Sequence, residues 1–155
     1  MRAAALVVVV LVAACATLAP AAAPTTFPAV PIASIRGDAA ELRQIAAGRP
    51  LVVDFYATWC EPCREGFPRL ARLARAHPEI AVVGVDIGEE VKLAAAFAAR
   101  QGLDYPIFVD AELKLADACG VSRLPAVLAV DPDGRIVYRG DDVGAAAAAL
   151  GISTR

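Results

Sequence analysis

"LVVDFYATWCEPC", residues 51–63, carries an apolar run straight into two cysteines separated by two residues. The β-branched and aromatic residues of 51–57 predict a strand buried on both faces, broken chemically by one acid, Asp54. The strand gives way at Trp59, and Pro62 suits a first helical turn because it has no N–H to leave unpaired. Cys60 is thus expected at a helix start, where free backbone N–H groups and the helix dipole favour a thiolate. Arg64 adds positive charge nearby, and Cys63 falls one turn inside. This reads as a redox couple, with Cys60 the nucleophile and Cys63 the resolving thiol. A zinc site fits poorly. Zinc takes four ligands, yet beyond this pair and Cys15 the chain offers only Cys119 and one histidine, His77. A structural staple also fits poorly, since so short a loop removes little chain entropy when closed.

Around this stretch, periodicity predicts alternating elements. "DAAELRQIAAG", 38–48, reads as a helix capped by Asp38 and ended by Gly48. After Cys63, Phe67, Leu70, Ala71 and Ala74 share one helical face, while Arg64, Arg69, Arg72 and Arg75 lie mostly opposite; Pro68 should kink this helix. "IAVVGVD", 80–86, is a second buried strand. Residues 89–101 form an alanine-rich helix, with Leu93 and Phe97 paired one turn apart and Gly102 closing it. "YPIFVD" is a short strand and "AELKLADACG" a short helix. "AVLAV" and "RIVYRG" flank the turn "DPDG" as a hairpin, and "DDVGAAAAALGI" makes a last helix. The order αβαβαβαββα predicts an α/β fold: a mixed central sheet, mostly parallel, flanked by helices on both faces.

The N-terminus sets the expected compartment. "MRAAALVVVVLVAAC" places one charge, Arg2, before an unbroken apolar run, which is the layout of an export signal. Val12, Ala13 and Ala14 before Cys15 resemble a bacterial lipobox, which makes 1–14 a signal peptide and Cys15 a lipidation site. Later cleavage near Ala23, or retention as an uncleaved anchor, are the two other outcomes. "PAAAPTTFPAVP", 20–31, lacks apolar periodicity, so 15–37 is expected to be a tether and 38–155 the folded domain. All three outcomes put the domain outside the cytoplasm, in the periplasm or cell envelope, where thiols tend to oxidise. At a net charge of −2 over 155 residues there is no basic footprint for nucleic acid.

Asp54 in its apolar strand, Tyr56, Trp59 before Cys60, Pro68 after Cys63, and Pro125 in "VSRLPAVLAV" together resemble the thioredoxin superfamily. The intervening helix and strand at about 89–109, the Glu-Pro of "CEPC", "GLDYPIFVD" and "VSRLPAVLAVDPDGRIV" are similar to the exported TlpA, ResA and CcmG/DsbE reductases. The resemblance implies a thioredoxin fold with an insertion before a cis-proline at Pro125. It implies a protein-disulfide reductase whose cofactor is its own Cys60–Cys63 disulfide, with no metal. Asp54 would take the proton of Cys63, and Pro125 would keep metal from the sulfurs. Trp59, Glu61, Pro62 and Leu124 would form the docking face, with Leu124 offering backbone to an extended substrate. Implied partners are protein thiols or disulfides, apocytochrome c among them, and a membrane electron donor of the DsbD/CcdA type, served by a monomer. The sequence departs at two positions. Gly66 stands where ResA-like proteins carry an acid, with Glu65 one step earlier and expected to face away from the sulfurs; Ala126 stands where Thr is usual. Other readings of the pair are a thiol oxidase or isomerase on the same fold, or a carrier that binds copper or haem through CxxC. Cys119 reads as a small core residue.

Overall fold

The computed structural model describes residues 23–153. Seven strands form one mixed sheet: β1 Ile32–Ser34, β2 Ala39–Ala40, β3 Leu51–Tyr56, β4 Ala81–Ile87, β5 Ile107–Asp110, β6 Ala126–Val130 and β7 Ile136–Gly140. Their spatial order is β2-β1-β5-β4-β3-β6-β7. β3, β4 and β5 run parallel, while β6 pairs antiparallel with β3. Two clusters sandwich the sheet. On one face pack α2 (Phe67–Ala76), α3 (Val91–Gln101) and α5 (Val143–Ala149), through Leu70, Phe97 and Ala146. On the other pack α1 (Leu42–Ala46) and α4 (Lys114–Ala118), through Leu42 and Leu115.

The expected α/β architecture is present, with four local differences. The first is the segment 15–37, expected as a tether. Its described part is built into the domain. Phe27 is 2% exposed, its N–H donates to the Gly134 carbonyl at 2.9 Å, and β1 pairs with β5. The Arg139 guanidinium also donates to the carbonyls of Pro24 and Cys119. The physical reason is the edge of β5: its unpaired backbone groups need a partner, and the N-terminal segment supplies one. The signal segment 1–14 and Cys15 lie outside the described residues.

The second difference lies in 38–48. Ala39 and Ala40 pair with β1, so the helix starts only at Leu42, and Asp38 sits in a turn as a backbone acceptor for Ser34. A short helix costs much to nucleate, and strand pairing offers these residues immediate hydrogen bonds. The left-handed C-cap is Ala47, at φ 52°, followed by Gly48 at φ 78°. Third, Pro68 does not kink a continuous α-helix. The chain makes a 3-10 turn, Pro62–Glu65, and α2 begins at Phe67 with Pro68 in its first turn. Pro68 has no N–H for the Arg64 carbonyl, so the α-ladder cannot run through it. Fourth, α3 buries Ala94, Phe97 and Ala98 and leaves Leu93 46% exposed.

Gly84 is the position where missing a side chain matters most. A Cβ there would meet Ile107 Cδ1 at 2.8 Å, Tyr56 Cε1 at 3.1 Å and Tyr105 Cε2 at 3.2 Å. Gly84 is the register partner of Asp54, so its bareness lets two tyrosine rings close over the sheet beside that acid.

Because Phe27 is buried, Phe27→Ala should destabilise the domain by about 3 kcal/mol, the range for an emptied aromatic core site. Urea unfolding of the two proteins checks this. A loose tether would give no change.

Candidate redox site

The site forms where the end of β3 meets the start of β6. Cys60 and Cys63 are joined as a disulfide, with Cα atoms 5.5 Å apart. Glu61 and Gly66 both hold right-handed helical dihedrals, so the helical path from Glu61 through the 3-10 turn into α2 is unbroken. Cys60 thus stands at the mouth of that path, its N–H donating to Ala57 at 3.0 Å. Both cysteines are buried, Cys63 slightly the more, while the neighbouring Trp59 is 73% exposed. Glu61 pairs with Arg64 at 3.1 Å on the surface, where solvent screens most of its effect.

Leu124–Pro125 is a cis peptide. The register of β6 against β3 ends at Ala126 opposite Phe55, so Leu124 and Pro125 lie just beyond the ladder, beside the end of β3. Pro125, Cys63 and Asp54 line one cleft of about 310 Å³, together with Pro62, Glu65 and Asp142. Asp54 is 2% exposed, and its Oδ2 has no hydrogen-bond partner among the described residues. Burial pushes its carboxyl up to about 7. Burial also pushes up the phenols of Tyr56 and Tyr105, whose hydroxyls are likewise unpartnered among the described residues. Asp54 thus sets a carboxyl of raised pKa against the cleft that Cys63 also lines.

Glu65, expected to face away, lines this cleft. In a 3-10 turn residues three apart eclipse, so Glu65 stands over Pro62 on the cleft side, an arrangement an α-helix would have rotated. Glu61, in the loop before the turn, does not line the cleft. Neither does Trp59, although both are exposed beside it. Among the described residues, no cluster of three or more His, Cys, Asp or Glu side chains could hold a metal ion. No described helix is long and apolar enough to cross a membrane.

The AhpC/TSA family pattern matches residues 23–139, three quarters of the chain. The chain belongs to the AhpC/TSA family. Within the thioredoxin superfamily it is a TlpA/ResA/CcmG-like protein, as its relatives show. The thiol-disulfide oxidoreductase ResA of Bacillus subtilis (strain 168) is 30% identical over 92 residues, 58% of this chain and 51% of that protein. ResA of Halalkalibacterium halodurans is 30% identical over 105 residues, 66% of this chain and 59% of that one. The chain thus spans little more than half the length of these relatives. A putative thiol:disulfide interchange protein DsbE from Chlorobium tepidum superposes with a TM-score of 0.71 at 22% identity. That match covers 81% of this chain and 91% of the other, and is a likeness of fold.

In this AhpC/TSA member the sequence missed several residues at the site. Asp142 lines the cleft, caps α5 through Ala145 N–H at 2.7 Å and pairs with Arg69 at 3.5 Å. Its signal was an Asp three residues before a backbone donor at a helix start. Asp86 is fully buried at the end of β4, and "VVGVD" carried the same warning as Asp54, an acid in an apolar strand. Cys119, fully buried, has its thiol pushed up to about 12 by burial and is unsuited to exchange.

The Asp54 shift fixes a pH dependence. Its folded-state value lies above the ordinary 3.8, so the folded protein holds a proton that the unfolded chain releases between about pH 4 and 7. Stability falls as pH rises through that window. Asp54→Asn should therefore stabilise the protein by about 2–4 kcal/mol at pH 8 and by almost nothing below pH 4. Denaturant unfolding at the two pH values measures this; an equal effect at both would mean the carboxyl is not shifted.

Proposed function

We propose that this protein is an extracytoplasmic thiol-disulfide oxidoreductase that reduces disulfides of other proteins through Cys60 and Cys63. The observation that carries the reading is the shared cleft: the resolving cysteine, a buried acid and a cis-proline line one space. The relatives named as thiol-disulfide oxidoreductases support it.

In the reaction, the Cys60 thiolate attacks a substrate disulfide and displaces one substrate thiolate. Cys63 then loses its proton to Asp54, directly or through one water, and attacks Cys60 Sγ. The second substrate thiol leaves, and the Cys60–Cys63 disulfide forms. Two electrons pass to the substrate, which gains two protons. Leu124, outside the β6 ladder, offers backbone to an extended substrate segment, and Trp59, Glu61 and Pro62 complete the docking face.

The direction follows from charge. An oxidant needs a strongly stabilised thiolate, because that stabilises the reduced form. Here Arg64 is tied to Glu61, and the cleft beside Cys63 sets three acids, Glu65, Asp141 and Asp142, against one cation, Arg69, so net negative charge opposes a thiolate there. The potential should lie at roughly −220 to −270 mV. Such a dithiol needs a resident reductant outside the cytoplasm, for which a membrane donor of the DsbD/CcdA type is suited. Apocytochrome c is one substrate of the right kind, with thiols that must stay reduced before haem attachment. Lipid on Cys15 would hold a monomer at the membrane.

Equilibration against glutathione, read by Trp59 fluorescence, tests the direction. A value near −120 mV would favour the oxidase or isomerase reading. Cys60→Ser should abolish turnover, whereas Cys63→Ser should accumulate mixed disulfides; labelling of Cys63 before Cys60 by an alkylating agent would reverse their roles. In the parent, the resolution rate should rise with pH through about 7 as Asp54 ionises, and Asp54→Asn should flatten that rise. Intact mass of the membrane fraction should begin at Cys15 with a diacylglycerol adduct, and an unmodified soluble chain would exclude it.

A further inference from the structure

Thr58, two residues before the nucleophile, is held from both sides. Its N–H donates to Glu89 Oε2 at 2.7 Å and its Oγ1 donates to Glu89 Oε1 at 2.7 Å. Its carbonyl accepts from Arg64 Nη2 at 3.2 Å. One carboxylate thus takes two charge-assisted bonds from a single residue, which fixes both its backbone and its side chain. Glu89 comes from the loop after β4, 31 residues along the chain, so this contact ties the Cys60 turn to a different part of the sheet. Trp59 follows immediately. At 73% exposure it has no packing of its own to hold it, so its direction depends on the turn that carries it.

Behind Glu89 lies Asp86. It is fully buried, and neither carboxyl oxygen finds a donor among the described residues. Its polar neighbours are the Glu89 carboxyl and, across the register on β3, the Tyr56 phenol. Burial, with the Glu89 carboxyl beside it, pushes Asp86 up to about 8, so the acid behind the clamp favours its neutral form.

We propose that Glu89 is a positioning residue that fixes the Thr58–Cys60 turn and thereby presents Trp59 to a protein partner. A turn left free would have to be ordered at docking, which weakens binding of a large substrate. A small disulfide reaches the sulfur without using Trp59, so it is indifferent to the clamp. The proposal rests on the thiol-disulfide oxidoreductase reading and adds to it a determinant of preference for protein substrates.

The test compares Thr58→Val, Glu89→Gln and their double variant. Each is assayed on insulin and on a small aromatic disulfide, with dithiothreitol as reductant. Glu89→Gln should raise KM for insulin roughly three- to tenfold with kcat within twofold. Thr58→Val should raise it in the same direction, and the double variant should be no worse than Glu89→Gln, since both remove one interaction. Small-disulfide kinetics should not change. The protein has a single tryptophan, so the fluorescence anisotropy of Trp59 reads the turn without any turnover, and it should fall in every variant whose KM rises. Equal KM rises for both substrates, or unchanged anisotropy in Glu89→Gln, would overturn the proposal. A parent inactive on both disulfides would instead overturn the enzymatic reading, with the anisotropy still deciding the clamp.

Discussion

The arrangement of strands on either side of β3 is the constraint on which the site depends. β4 runs parallel to β3, and β6 runs antiparallel. The end of β3, the end of β4 and the start of β6 must then meet at one edge of the sheet. Each brings one part of the region: the cysteine turn, Glu89 bonded to Thr58, and the cis peptide at Pro125. Reversing either neighbour would carry its part to the opposite edge, roughly 20 Å away for strands of this length.

Burial then sets the chemistry at that edge. Asp54 and Asp86 lie on the same face of adjacent strands, two rows apart in register, with Tyr56 beside them and Gly84 bare between. An isolated ion there would cost several kcal/mol, so both acids favour their protonated forms up to neutral pH. They differ in what they face. Asp54 opens onto the cleft that Cys63 also lines. Asp86 faces Glu89, whose carboxylate is already committed to Thr58. One acid borders the cleft and the other lies beside the Thr58–Glu89 contact, although the sequence presents them alike.

Local helical geometry refines the picture. Pro68 interrupts the α-ladder, the chain tightens into a 3-10 turn at Pro62–Glu65, and this brings Glu65 to the cleft. Glu65 and Gly66 both border the cleft, and Glu65 brings a carboxylate to it. Gly66 itself has little room for a side chain, since a Cβ would sit 3.3 Å from the Cys63 carbonyl oxygen.

The sequence by itself determined the redox pair, the α/β alternation, the buried acid Asp54 and the position of Pro125, because each leaves a local mark. A CxxC at a strand-to-helix junction and an acid in an apolar strand can be read without knowing what lies opposite, and Pro125 stands out through the family resemblance of "VSRLPAVLAV". The tertiary structure alone decided the rest, and each case turned on a partner distant in sequence. The segment 23–37 joined the fold because β5 left an edge to cover. Ala39 and Ala40 became a strand because β1 was beside them. Glu89 found Thr58 across 31 residues because parallel pairing brought the ends of β3 and β4 together. Hydrogen bonds between distant segments carry no periodic signature along the chain, so only the assembled sheet could show which polar groups would meet.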